Sequence, residues 1–277
     1  MKDVFDRDIL RLHRARATAR LDAHDAIPRE VSARLVERLE DLRRTFPDAA
    51  EFGAGWLAPL LRHRFGIARF SALNDLATPE HAIPLGADAF DLIASSLALH
   101  WINDLPGVLV QIRRALRPDG LFLAAMYGGE TLKELRAALL DAEIAEEGGA
   151  SPRVSPFADA RDAGALLQRA GFALPVVDVD TIRVSYPDPL ALMRELRGMG
   201  EANAVAARRK TFTRRSTIAR AAALYAERHG DGDGRVTATF QVLYLTAWRP
   251  HESQQIAAKR GSGTVHLADA LKPREDR

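Results

Sequence analysis

The sequence predicts an α/β protein built on a doubly wound, mostly parallel sheet. Three observations carry that reading. Strand-like and helix-like segments alternate from residue 46 to residue 126, residues 90–97 form a nearly unbroken apolar run, and a glycine turn, Gly53-Ala54-Gly55, joins the first strand to a helix. Such alternation implies right-handed crossovers that return each strand parallel to the last. An apolar run without a polar face is what a parallel strand needs when helices cover both of its sides. Ligands of these sheets sit beyond the carboxyl ends of the strands.

Two charged helices precede the sheet, over 6–22 and 28–44, and Pro28 suits a first helical turn, where its missing N–H costs nothing. Residues 46–52 form the first strand, 56–65 the helix after the glycine turn, and 69–73 a further strand. The central strand, 90–97, leads through Asn103-Asp104-Leu105-Pro106 into a helix with Val108, Leu109, Ile112 and Leu116 on one face. Arg117-Pro118-Asp119-Gly120 ends that helix, since Pro cannot continue it and Gly admits the positive φ of a turn. A buried strand follows over 121–126, then a helix over 130–147 stopped by Gly148-Gly149 and another over 159–170 stopped by Gly171. Residues 172–186 and 235–248 form a final antiparallel pair at the sheet edge, with an arginine-rich helical segment, 189–227, inserted between them. The organisation expected is an N-terminal helical lid (1–45), a sheet core (46–186), a helical substrate insertion (187–234), a last core strand (235–249) and a polar tail (250–277).

Between Gly55 and Phe90 a complete sheet of this type needs a helix, a strand, a second helix and a third strand. Each crossover takes about a dozen residues or more. The segment holds one helix and one strand, so a strand-helix unit is predicted to be shortened or missing there.

With 277 residues, 47% hydrophobic and 27% charged, the chain can bury a full core. Lys and Arg number 39 against 37 Asp and Glu, a net charge of +2 that gives little reason to expect a nucleic-acid partner. Without cysteine there is no disulfide, thiolate metal site or thiol nucleophile, which fits a reducing, cytoplasmic compartment. No apolar run approaches the roughly 20 residues of a membrane-spanning helix. The arginine-rich start carries Asp3, Asp6 and Asp8 and so reads as an amphipathic helix, not as an acid-poor transit peptide.

Several stretches, taken in order, cover nearly the whole chain: Val4-Phe5-Asp6-Arg7, FDLIASSLALHWINDLP (90–106), QIRRALRPDGLF (111–122), GGETLKEL (128–135), SPRVSPF (151–157), LLQRAGFALPVVD (166–178) and PHESQQ (250–255). Together they resemble the class I methyltransferases that use S-adenosyl-L-methionine. The resemblance is to the group of the malonyl carrier-protein methyltransferases of biotin synthesis, and closer still to the mitochondrial methyltransferase-like assembly factors of respiratory complex I. It implies a Rossmann-like sheet, S-adenosyl-L-methionine as cofactor, and a protein or a carrier-bound acyl group as substrate, with a complex I subunit among the protein candidates. The mitochondrial branch is linked to arginine hydroxylation as well, so the resemblance leaves methyl transfer and hydroxylation both open.

On that resemblance, Gly53 and Gly55 supply a turn bare of side chains for the cofactor's methionine end, and Glu51 orients its amino group. The third glycine of the family pattern is Leu57 here, with bulky Trp56 before it. Asp75, with Asn74 as a substitute, either accepts from the ribose hydroxyls, as carboxylates do in dinucleotide sites, or is a solvated loop acid. The adenine-side acid falls on Pro79, leaving Glu80 one residue away. Ser95, Ser96, Leu97 and His100 follow the central strand and line the pocket. His100 with Trp101 reads as a general base, a stacking wall, or a hydrogen-bonded histidine beside a packing tryptophan. Tyr127 and Glu130 are further catalytic candidates, Glu130 alternatively a first-turn helix acid. Arg208, Arg209, Lys210, Arg214 and Arg215 either dock an acidic partner or form a solvated face. No metal cluster or nucleophile stands out, and in-line methyl transfer needs none, because positioning supplies much of its acceleration. A second class of function fits the same residues: a binding or assembly factor that kept the fold after its cofactor loop decayed.

Overall fold

Six strands form one sheet in the computed structural model, which describes residues 3–62 and 64–255. They are β1 (Asp48–Phe52), β2 (Arg69–Leu73), β3 (Phe90–Ser96), β4 (Leu116–Tyr127), β5 (Ala173–Tyr186) and β6 (Val236–Trp248), in the order β2-β1-β3-β4-β6-β5. The pairs β1–β2, β1–β3 and β3–β4 are parallel, while β6 runs antiparallel to both β4 and β5. The chain therefore winds outward in both directions from β1, a Rossmann-like arrangement whose switch point opens a crevice beyond the ends of β1 and β3.

Side chains alternate across this sheet as the two-residue strand period requires. Leu121, Leu123, Ala125 and Tyr127 of β4 enter one core, with α2 (Ala26–Glu40), α5 (Lys133–Glu147) and α8 (Arg215–His229). Phe122, Ala124 and Met126 enter the other, with α4 (Leu105–Ala115) and α6 (Ala160–Arg169). The remaining helices are α1 (Arg7–Ala17), α3 (Ala58–Leu61) and α7 (Pro189–Gly198).

The strand-helix unit predicted to be short is absent: from Asn74 to Ala89 the chain runs as turns and irregular backbone. Other elements differ from expectation. The helix after the glycine turn is only α3, four residues long, because Arg62 leaves helical geometry. The first helix stops at Ala17 and continues as a 3-10 turn over Thr18–Ala23. Residues 117–120 do not simply end a helix. They bulge out of β4, with Phe90 opposite Leu116, Leu92 opposite Leu121, and Asp119 at a φ of 62°. The segment 189–227 divides into α7 and α8, separated by irregular backbone and a Gly200 at a φ of 79°. Of the tail, residues 256–277 lie outside the described residues.

At the amino-terminal end of the sheet, Asp48 is buried between Arg69 and Arg117, and Arg117 also donates to both oxygens of Asp91 at 2.9 and 2.8 Å. Hydrogen bonds from Arg69 first, then from Arg117, outweigh burial and hold the Asp48 carboxyl down at about 2. An unfolded Asp titrates near 3.9. The pairing thus contributes stability that is full above about pH 4 and is lost as pH falls through about 2. Arg69 is largely exposed, so screening limits the contribution to at most about 1 kcal/mol. Asp48→Asn is expected to lower stability by that amount at neutral pH and to flatten its decline between pH 4 and 2, as read by urea unfolding at stepped pH.

Candidate cofactor and acceptor cavities

The turn after β1 is shaped by its own acid. Glu51 is buried, and its Oε1 and Oε2 accept from the backbone N–H groups of Leu57 and Ala58 at 3.0 and 2.9 Å. Burial pushes this carboxyl up, and the N–H groups partly offset the rise. Its role here is to fold the turn. A Cβ at Gly53 would lie 3.5 Å from both Ala98 Cβ and the Ser96 carbonyl, ordinary contact distances, so a methyl fits there. Gly55 has a φ of 92°. Leu57, at the third glycine position, is fully buried in the core.

Beyond this turn lies a cavity of about 530 Å³, bounded by Ala54 and Trp56 after β1, Asn74 after β2 and Leu97 after β3. Its size falls within the range of about 300–1,000 Å³ found for small-molecule sites. Leu97 holds a φ of 49°, fixed by its N–H donating to the Ala125 carbonyl at 2.9 Å. A non-glycine residue in that region stores strain, which concentrates at ligand sites. Ser96 points elsewhere: its hydroxyl is buried 2.9 Å from Ser32 Oγ on α2. Ser95 Oγ is buried with no partner.

Helix α1 roofs this cavity, with Arg11 and Arg14 in its wall. Arg14 Nη1 donates to both oxygens of the fully buried Asp75, at 2.8 and 2.9 Å. Asp75 is thus no solvated loop acid. Arg7 Nη2 donates to the carbonyls of Asp75 and Thr78 at 2.7 and 2.9 Å, and Arg11 Nε to that of Leu76 at 3.0 Å. Glu80 pairs with Arg7 and accepts from the Asp104 N–H at 2.8 Å, so it binds the strap of residues 75–80 to α1 and α4 instead of lining the cavity.

A second cavity, of about 340 Å³, adjoins the first, and Glu201 stands in the wall of both. Glu201 Oε2 accepts from Trp101 Nε1 at 2.9 Å and lies 3.2 Å from His100 Nε2. The His100 ring is wholly buried, 4.8 Å from the Tyr127 ring and 5.3 Å from that of Trp101, centroid to centroid. Tyr127 lines the second cavity, its hydroxyl is buried without a partner, and burial raises its pKa well above the ordinary tyrosine value.

Glu130 stands apart from this group. It is exposed, lies before the first turn of α5 and pairs with Lys133 at 2.9 Å, where it meets neither cavity. The basic run is largely spent within the molecule: Arg208 pairs with Asp6 at 3.1 Å, Arg209 with Glu143 at 3.3 Å and with Glu147, and Arg214 donates to the Glu146 carbonyl at 3.3 Å. Among the described residues no group of three potential metal ligands forms, and no helix is long and apolar enough to cross a membrane. Two residues were not anticipated. Glu201 was signalled only by its place after the helix stop Gly198-Met199-Gly200, and Arg14 by the one-face spacing of Arg7, Arg11 and Arg14.

A family model described as a methyltransferase domain matches residues 53–124. The chain is 43% identical to arginine-hydroxylase NDUFAF5, mitochondrial, of Danio rerio, over 98% of this chain and 90% of that protein. It is 41% identical to the Homo sapiens protein of the same name, over 96% of this chain and 83% of that one. It is 36% identical to the malonyl-[acyl-carrier protein] O-methyltransferase of Laribacter hongkongensis, over 90% and 92% of the two chains.

Proposed function

This chain belongs to the class I S-adenosyl-L-methionine-dependent methyltransferase family, and from that membership we propose an enzyme that takes the cofactor in the larger cavity and a protein or carrier-bound acyl group in the smaller. One observation carries the reading: two cavities of small-molecule size meet at a single carboxylate, Glu201, at the switch point of the sheet. The cavity volume and the uncrowded Gly53-Ala54-Gly55 turn fit the methionine end of the cofactor. Asp75 suits the ribose once Arg14 turns away from it. When bound, the cofactor supplies an electrophilic methyl group. Around the junction, Trp101, His100 and Phe157 exclude water, Glu201 presents negative charge, and Tyr127 offers a hydroxyl to the acceptor. The acceptor class is supported by the relatives' names, arginine in one branch, where the named reaction is hydroxylation, and a carrier-bound malonyl group in the other. A subunit of respiratory complex I is the protein candidate, and a cytoplasmic location is part of this reading, although the first relatives are named mitochondrial.

Calorimetric titration with S-adenosyl-L-methionine and S-adenosylhomocysteine tests it. Micromolar binding is expected, and Gly53→Arg is expected to abolish it, because a long charged side chain on this turn competes with the cofactor for the space beyond it.

A second reading is favoured by specific observations: Asp75 is neutralised by Arg14, Leu57 is committed to the core, and the missing strand-helix unit leaves the adenosine side without part of its wall. These support a binding or assembly factor that no longer takes the cofactor. No heat at millimolar ligand, in parent and variant alike, would select it.

A further inference from the structure

The arginines predicted to dock a partner are mostly paired inside the molecule, yet a different set is not. Arg16 on α1, Arg20 in the 3-10 turn after it, and Arg194 and Arg197 on α7 join His13 and His24 around a cleft of about 470 Å³. All four arginines are exposed, and no Asp or Glu lines the cleft. Among the described residues Arg16, Arg20 and Arg197 pair with no carboxylate, and Arg194 meets only Asp188, at 3.8 Å. Glu195, on the same helix, is taken by His24 Nδ1 at 2.5 Å.

Helix ends explain part of this. Arg16 and Arg197 stand in the last turns of α1 and α7, where the carbonyl dipoles favour a cation. That accounts for one charge at each end and not for four guanidinium groups facing one concavity. Their fields add there, and low-dielectric walls focus them on whatever anion enters. The cleft also shares a wall with the acceptor cavity, since His13, Arg197 and Ala202 bound both.

We propose that this cleft is an oxyanion subsite that holds a phosphate group of the substrate while the reacting end enters the acceptor cavity. Guanidinium groups match phosphate oxygens through paired N–H donors, which an ammonium cannot do, and the basic side chains here are arginines and histidines without a lysine. A concavity of this size suits a compact, multiply charged group. The phosphate comes either from a phosphorylated small molecule or from the prosthetic arm of a carrier. The inference rests on the smaller cavity being the acceptor site.

The test is calorimetric titration of the full chain at low salt with inorganic pyrophosphate and with 4′-phosphopantetheine. Arg16→Gln/Arg20→Gln is compared with a control of equal charge, Arg43→Gln/Arg161→Gln. The cleft variant is expected to weaken both probes by about tenfold or more, and the control by no more than about twofold. Tighter binding of 4′-phosphopantetheine assigns the phosphate to a carrier arm; equal or weaker binding assigns it to a small molecule. Equal losses in the two variants, or no binding of either probe by the parent at millimolar concentration, would overturn the subsite. Cofactor titration of the same samples separates this from failure of the enzyme reading: pyrophosphate bound without any S-adenosyl-L-methionine binding keeps the cleft and removes the enzyme.

Discussion

Arg14→Ala is expected to destabilise the protein by about 3–5 kcal/mol, the usual cost of removing one partner from a buried ion pair. Asp75 has no exposed surface, and both of its oxygens accept from the same Arg14 nitrogen. Without Arg14 the carboxylate must stay buried and unpaired or reach water by displacing α1. The second route gives up the bonds from Arg7 and Arg11 to the carbonyls of residues 75–78, so neither escape is cheap. Arg14→Ala/Asp75→Asn removes the orphaned charge and is expected to recover more than half of the loss in urea unfolding. Hydrogen exchange should show α1 opening first in the single variant. The same substitution frees the carboxylate that the proposed enzyme reading assigns to the cofactor ribose, between Asn74 and Leu76 of the cavity wall. Under the enzyme reading, S-adenosyl-L-methionine binding by Arg14→Ala therefore tightens by about tenfold, the scale of a 1.4 kcal/mol difference. Unchanged affinity would mean that Asp75 serves only to anchor the N-terminal helix.

The sheet was legible because its strands obey strict local rules. The continuous apolar run of β3 and the glycine turn after β1 announce a covered parallel strand and a crossover whatever the rest of the chain does. Length alone exposed the missing unit between Leu73 and Phe90, since a crossover has a minimum reach. The site was less legible, for a physical reason. Glu51, Glu80 and Ser96 occupy the expected places along the chain, but their side chains are committed to the Leu57 and Ala58 N–H groups, to Arg7, and to Ser32. Partners that lie tens of residues away leave no local trace. Glu130 misled because spacing put it at a strand mouth, whereas the left-handed Leu132 delays the helix and leaves the acid in solvent. His100 was found by its neighbour Trp101, yet what joins the two rings is Glu201, about a hundred residues onward, beyond any pattern read in windows.

Glu201→Gln separates charge from shape at the point where the cavities meet. The amide oxygen still accepts from Trp101 Nε1, so the ring keeps its partner and stability is expected to stay within about 1 kcal/mol of the parent, the net worth of a typical hydrogen bond. What disappears is the negative charge beside His100 and between the two cavities. If Glu201 takes a proton from the acceptor or steadies charge that develops as the acceptor reacts, the rate falls by about 10²- to 10⁴-fold, the range for loss of a positioned acid or base. The assay is methyl transfer to an arginine-bearing peptide, an acceptor that must lose a proton as it reacts, with cofactor affinity measured on the same sample. A lower rate at unchanged cofactor affinity places the function of Glu201 on the acceptor side. Glu201→Leu supplies the contrast, because it leaves the buried Trp101 N–H without an acceptor, at about 1–3 kcal/mol. Were Glu201→Gln to react at the parental rate while Glu201→Leu lost stability, the carboxylate would be a positioning residue for Trp101, and the proton acceptor would have to be sought on the substrate itself.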